Sequence, residues 1–147
     1  MCIMYHIKSI QLDTEGTVAF FLVSENDRDF LTGWKEKKQT KEVGANFIRL
    51  LININRHGYD WAFSSSKLKH LDGNLGLVEI KGFRGIWRVL SYLHESDQKQ
   101  MVMLREFRGH QGSDKVPASL LEECRRLAEV AKRLIERELD NGDDTRQ

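Results

Sequence analysis

A basic side chain interrupts an otherwise apolar stretch in the middle of the chain. Arg88 lies in residues 86–94 (IWRVLSYLH), where most of its neighbours are apolar. A guanidinium stays protonated at working pH, and its forked donors match the oxygens of a phosphate group. We therefore treat Arg88 as the leading candidate for a catalytic residue that faces a phosphate.

Four more residues could complete chemistry at a phosphate. Lys81 ends the preceding apolar segment and could neutralise phosphate charge or accept a proton. Arg84 lies between the two segments, and Arg105 lies near the end of the next one. His110 lies in the loop that follows, and an imidazole there suits proton transfer near neutral pH.

Each of these residues also has a purely structural interpretation. Arg88 would pair with Glu79 if residues 82–85 form a four-residue loop, whereas a two-residue turn at Arg84-Gly85 would place Lys81 opposite Arg88. The sequence leaves this register open. The other cations could be solvated side chains, or they could pair with neighbouring carboxylates.

Further basic residues could widen a positive surface for a nucleic-acid backbone, although solvated charge is the alternative for each. They are Lys67, Lys69, Arg108 and Lys115. The histidines and cysteines have no spacing typical of a metal site, and no glycine-rich nucleotide fingerprint occurs. We expect neither a metal nor a cofactor.

Hydrophobic periodicity predicts the elements that position these residues. Strands are predicted over residues 75–81, 86–94 and 100–107, joined by short polar turns into an antiparallel meander. Near the N-terminus, residues 18–23 predict a strand, and residues 4–12 could form a hairpin with it.

Helices are predicted on both sides of the meander. Asn26 or Asp27 would cap the first, and the second would cover residues 42–56 and end at Gly58. Pro117 opens a long helix whose apolar stripe continues towards Leu139. The expected class is α+β, with a mostly antiparallel sheet, two N-terminal helices on one face and a long C-terminal helix.

Length and composition indicate one folded domain. The chain has 147 residues, 40% of them hydrophobic, and a net charge of +1. We expect a single domain over residues 1–139, its first ~15 residues forming an extension or hairpin, and a disordered acidic tail over residues 140–147. Two distant cysteines, no long apolar run and no signal-peptide pattern favour a cytoplasmic protein without a membrane partner.

Several short motifs occur in an order that resembles the phage-derived HigB-like branch of the RelE/HigB/ParE toxin superfamily. Lys67-Leu68 precedes a Gly-Leu-Val-Glu-Ile-Lys strand at residues 76–81. Trp-Arg-Val at residues 87–89, Val-Met-Leu-Arg-Glu-Phe at residues 102–107 and then Pro117 follow. The branch usually carries a lysine pair in the next loop, whereas this chain has Arg-Gly-His-Gln at residues 108–111.

The resemblance implies a RelE-like fold and the toxin of a type II toxin–antitoxin system. Such toxins cleave mRNA on the ribosome without a metal, as the 2′-hydroxyl attacks the adjacent phosphate and cations stabilise the growing charge. The implied partners are a cognate antitoxin, the ribosome and mRNA. The implied site residues, Lys81, Arg88, Arg105 and His110 with Arg84 nearby, should converge on one solvent-reachable surface.

Two alternatives stay open at this point. A ParE-like toxin would share the fold and inhibit DNA gyrase by contact rather than cleave RNA. An inactive phage or mobile-element protein would retain only the fold.

Overall fold

One mixed sheet organises the computed structural model, which describes residues 3–12, 15–82, 85–94, 99–109 and 115–144. Its six strands run in the order β1-β2-β6-β5-β4-β3. The pairing of β2 with β6 is parallel and the other four pairings are antiparallel. The strands are β1 (Tyr5–Ser9), β2 (Val18–Glu25), β3 (Leu68–His70), β4 (Leu75–Gly82), β5 (Gly85–His94) and β6 (Lys99–Gly109).

Among the described residues, four helices cover the two faces of this sheet. They are α1 (Phe30–Glu36), α2 (Lys41–His57), α3 (Tyr59–Ser64) and α4 (Ala118–Asp144). The α+β class is therefore confirmed, as is the long C-terminal helix. The two helices predicted before the meander correspond to α1 and α2, which follow β1 and β2, and the short helix α3 was not predicted.

The face that carries α1, α2 and α3, here called the α2 face, holds the larger apolar core. Phe47, Leu51 and Ile54 of α2 pack there without solvent exposure, against Val78 and Val89 of the sheet. These α2 residues recur every three or four positions, so they form one stripe on the helix. Burial of that stripe holds the helices against the meander.

The opposite face, here called the α4 face, packs against the C-terminal helix. Cys124, Leu127, Ala131 and Ile135 form the buried stripe of α4, in agreement with the periodicity of the sequence. The helix follows Pro117, whose carbonyl accepts a hydrogen bond from the Leu121 amide at 3.0 Å. It extends to Asp144, beyond the residue at which the sequence predicts its end.

The turn between β2 and α1 differs from the prediction. Asn26 and Asp27 have positive φ angles of 49° and 66° and form the turn itself. The cap of α1 is Asp29, whose Oδ1 accepts the Thr32 amide at 2.8 Å. Asparagine and aspartate tolerate the left-handed region and also cap helices, so the sequence alone did not distinguish the two uses.

The three predicted meander strands are confirmed as β4, β5 and β6, and an irregularity in β6 changes which side chains share a face. Leu90 pairs with Arg105, but the next residue, Ser91, pairs with Met103. Leu104 is the additional residue of this β-bulge, so alternation is interrupted there. As a result Arg105 and Phe107 lie on the α4 face, although Met101 and Met103 have the same parity and lie on the α2 face.

No helix among the described residues is both long and apolar enough to cross a membrane.

Candidate functional site

Three of the predicted site residues lie on the α4 face of the meander. Lys81 follows Leu77 and Glu79 on the same side of β4, and Arg88 precedes Leu90 on the same side of β5. Arg105 joins them because of the bulge in β6. The sheet therefore places on one face cations that are separated by 7 to 24 positions in the sequence, and we call Lys81, Arg88 and Arg105 the basic cluster.

The pairing of β4 with β5 settles the register that the sequence left open. Gly82 pairs with Gly85, which places Glu79 opposite Arg88 and Lys81 opposite Ile86. Nε of Arg88 lies 3.5 Å from Oε2 of Glu79. The structure therefore contains the ion pair across the two strands that the structural interpretation of Arg88 predicts.

Arg88 is buried, which contradicts the expectation that it reaches solvent. Its relative exposure is only 1%, whereas the side chain of Glu79 is 26% exposed. On the other side of Arg88, a Cβ added at Gly109 would overlap the guanidinium. Glycine at position 109 thus provides the space that the buried guanidinium occupies, and a ligand could contact Glu79 but not Arg88 directly.

Lys81 is the exposed member of the basic cluster. Its backbone carbonyl accepts a hydrogen bond from Nδ2 of Asn46 at 3.0 Å, which ties the end of β4 to α2. No ion pair of the Lys81 side chain involves a described residue. Its ammonium group is therefore accessible to a ligand.

Arg105 is held by carboxylates from two other elements. Its guanidinium bonds Glu25 at the end of β2, and Nη2 also lies 3.1 Å from Oε1 of Glu123 in α4. Burial lowers the pKa of Arg105, but the hydrogen bonds and charges of these carboxylates raise it more, so the net shift is upward. Arg105 is a permanent cation that joins β6, β2 and α4.

A cleft of about 270 Å³ lies beside Arg105, where β2 stops pairing with β6. Glu106 lies in this cleft, and burial raises the pKa of its carboxyl group. The cleft carries charges of both signs. It is lined by Val23, Glu25, Arg28, Asp29, Phe30, Leu104, Arg105 and Glu106.

The other predicted site residues do not join the basic cluster. Arg84 and His110 lie outside the described residues. Arg108 is exposed on the α2 face, next to Gly85. Lys69 lies on the α4 face, but on the edge strand β3. Lys67 and Lys115 are exposed residues outside the strands and helices.

Sequence reasoning did not assign roles to several residues that shape this site. Gly109 could have been suspected, since a glycine at the end of a strand often marks a close approach. Glu25 and Glu123 could not have been suspected, because both are distant in sequence from Arg105 and nothing in their local pattern indicates that they pair with it. Within the described part of the chain, no group of three or more histidines, cysteines or carboxylates could hold a metal ion.

Comparison of the chain with models of protein families finds no match, and comparison with curated proteins finds none either.

Proposed function

We propose that this protein is the toxin of a type II toxin–antitoxin pair and cleaves mRNA on the ribosome without a metal. The observation that carries the proposal is the basic cluster, three cations that the meander and its bulge bring to one face. The order of β2, α1 and α2, the meander and α4 supports it, since the RelE/HigB/ParE resemblance implies that order.

The burial of Arg88 assigns different tasks to the residues of the proposed site. Lys81 is exposed and would bind the phosphate at which the strand is cut. Glu79 is partly exposed and is held at 3.5 Å by Arg88, which keeps a carboxylate beside the lysine. That carboxylate would accept the proton of the attacking 2′-hydroxyl, and Arg88 would act as a positioning residue behind it.

The remaining step needs a proton for the departing 5′-oxygen. His110 is the residue that the resemblance offers for this step, and it lies outside the described residues. The requirement for a 2′-hydroxyl would restrict the reaction to RNA.

One observation favours a second candidate function. Arg88 is paired with Glu79 and Arg105 with Glu25 and Glu123, so two of the three clustered cations are already matched by carboxylates. Cations that are already paired with carboxylates have less charge left to stabilise the transition state of phosphate cleavage. Such a face is better suited to contact with a protein. The second candidate is therefore a ParE-like toxin that inhibits DNA gyrase by binding it.

Inducible expression in a bacterium, with mapping of mRNA 5′ ends, distinguishes the two functions. If the chain is the proposed nuclease, Lys81→Ala should reduce cleavage on the order of 10² to 10³-fold, the usual cost of losing a group that faces developing charge. Lys132→Ala, which removes an exposed lysine from α4, is the matched control and should cleave like the wild type.

Inhibition of DNA gyrase by binding leads to a different expectation. Growth should then stop without new mRNA 5′ ends, and purified protein added to gyrase should reduce its supercoiling activity. Absence of both effects on expression of the folded protein would contradict both candidates and leave the inactive protein of the same fold.

A further inference from the structure

The open edge of β1 is a feature that the proposed nuclease site does not use. β1 lies at the end of the sheet, and among the described residues its strand partner is β2. The Ile10 amide donates to the Phe20 carbonyl, and the Asn26 amide donates to the Met4 carbonyl. Backbone groups of a strand alternate in direction, so the even-numbered residues face β2. The backbone amides and carbonyls of Tyr5, Ile7 and Ser9 must then face outward, and no described residue bonds them.

Apolar exposure is concentrated at the same edge. Ile3 and Met4, which directly precede β1, are 54% and 60% exposed and are the large hydrophobic residues exposed among those described. An unpaired strand edge flanked by exposed apolar residues is a template for another strand. Two independent observations, one on the backbone and one on side chains, thus point to the same surface.

The charges of β1 indicate what kind of strand fits there. Tyr5 and Ile7 lie on the α4 face and pack partly against its core, whereas His6 and Lys8 lie on the α2 face and are exposed. The Lys8 ammonium is 3.6 Å from Asp29, but its side chain is still 62% exposed. A strand added to β1 would therefore meet apolar residues on one face and basic residues on the other.

The same charges disfavour a second copy of this chain as the occupant. A symmetric antiparallel pair that matches the outward-facing residues must be centred on His6, Ile7 or Lys8. The register centred on Lys8 places two ammonium groups directly opposite each other, and like charges there destabilise a strand pair. The registers centred on His6 or Ile7 place His6 opposite His6 or Lys8, so neither offers a carboxylate to these basic side chains.

We propose that β1 is a docking site for an extended segment of a different polypeptide, one that alternates apolar residues with carboxylates. The segment continues the sheet through the outward backbone groups of Tyr5, Ile7 and Ser9. Its carboxylates lie beside His6 and Lys8, and its apolar residues lie beside Tyr5 and Ile7. The inference does not depend on nuclease activity, since no candidate catalytic residue lies on β1.

Selection of random twelve-residue peptides displayed on phage, with the full-length protein as bait, tests the proposal. Synthetic copies of the enriched peptides are then measured by fluorescence anisotropy. We expect carboxylates at alternate positions, and we expect each glutamate or aspartate replaced by lysine to weaken binding. Failure to enrich any peptide, or enrichment of peptides without acidic alternation, would overturn the proposal.

Two pairs of variants locate the binding surface. Ser9→Pro removes an outward amide that bonds no described residue, so the fold should persist while peptide affinity falls at least tenfold, and Ser9→Ala should bind like the wild type. Lys8→Glu should weaken binding more than Lys8→Gln, and this pair tests the site even if Ser9→Pro fails to fold. Equal affinity for all four variants would contradict the site.

Sedimentation equilibrium tests the competing occupant. A dimer of the wild type that dissociates in Ser9→Pro would identify a second copy and overturn the proposal. mRNA cleavage by Ser9→Pro should equal that of the wild type, which separates a failure of this inference from a failure of the proposed nuclease function.

Discussion

Replacing Arg88 by methionine tests whether the Glu79–Arg88 pair stabilises the fold, acts in catalysis, or does both. Methionine keeps an apolar stem in the space beside Gly109 but removes the guanidinium. Breaking a buried ion pair typically costs about 3–5 kcal/mol, because the remaining charge loses its partner. Glu79 is 26% exposed, so solvent screens the carboxylate that is left. We therefore expect a loss at the lower end, about 3 kcal/mol.

Thermal unfolding measures this loss directly. For a chain of this size, a change of 1 kcal/mol shifts Tm by about 2–4 °C, so Arg88→Met should melt about 6–12 °C below the wild type. The double variant Arg88→Met with Glu79→Gln removes both charges and should recover most of that loss. Residues in contact usually show a coupling energy of about 0.5–3 kcal/mol in such a cycle.

Two results would refute the reasoning. An unchanged Tm for Arg88→Met would mean that the pair does not stabilise the fold. If the stability lost by the double variant equals the sum of the losses of the two single variants, the two charges are not coupled. Cleavage is measured on the double variant, provided that it folds. Wild-type cleavage there would exclude both residues from catalysis and would contradict the role proposed for Glu79.

Three further predictions concern single residues. Gly109→Ala should destabilise the protein by about 1–3 kcal/mol in denaturant unfolding, because the added methyl overlaps the buried guanidinium, whereas Gly33→Ala meets nothing within 4 Å and should be neutral or stabilising. Burial raises the pKa of Glu106 from 4.5, so its carboxyl group holds a proton more tightly in the folded state than in the unfolded state. The free energy of unfolding therefore falls as pH rises between 4.5 and the raised value. Glu106→Gln should therefore raise Tm at pH 7 and flatten the pH dependence of Tm in that window; a lower Tm at pH 7 would contradict this. Burial raises the pKa of Cys124 to about 12. In a Cys2→Ser variant, the native protein should therefore not react with a thiol reagent at pH 8 until it is unfolded. Fast labelling of the native protein would contradict this prediction.

The elements nearest in sequence to the candidate site could be predicted without the structure. Residues 75–81, 86–94 and 100–107 alternate or run apolar between turn residues, and each is a strand. The stripe through Cys124 and Leu127 recurs at helical spacing, and it is buried as predicted. These features depend on local periodicity, which a single segment carries in full.

The placement of β2 could not be predicted in the same way. The sequence indicates a strand over residues 18–23 and a hairpin with the segment before it, and β1 does pair with β2. The parallel partner on its other side is β6, more than 70 residues later in the chain. Pairings between strands that are distant in sequence depend on which apolar surfaces meet in the folded chain. The sequence of either strand alone does not predict its partner.

The chemistry of the basic cluster depends on both levels. The sequence by itself determined that Lys81, Arg88 and Arg105 lie on three successive strands and that Glu79 could face Arg88. Only the tertiary structure decided the register, the face reached by Arg105 and the burial of Arg88. One additional residue at the bulge reverses the alternation of β6, and a glycine two residues beyond Phe107 opens the space that a guanidinium fills. Both are effects of one strand on its neighbour, so they arise only when the strands are paired.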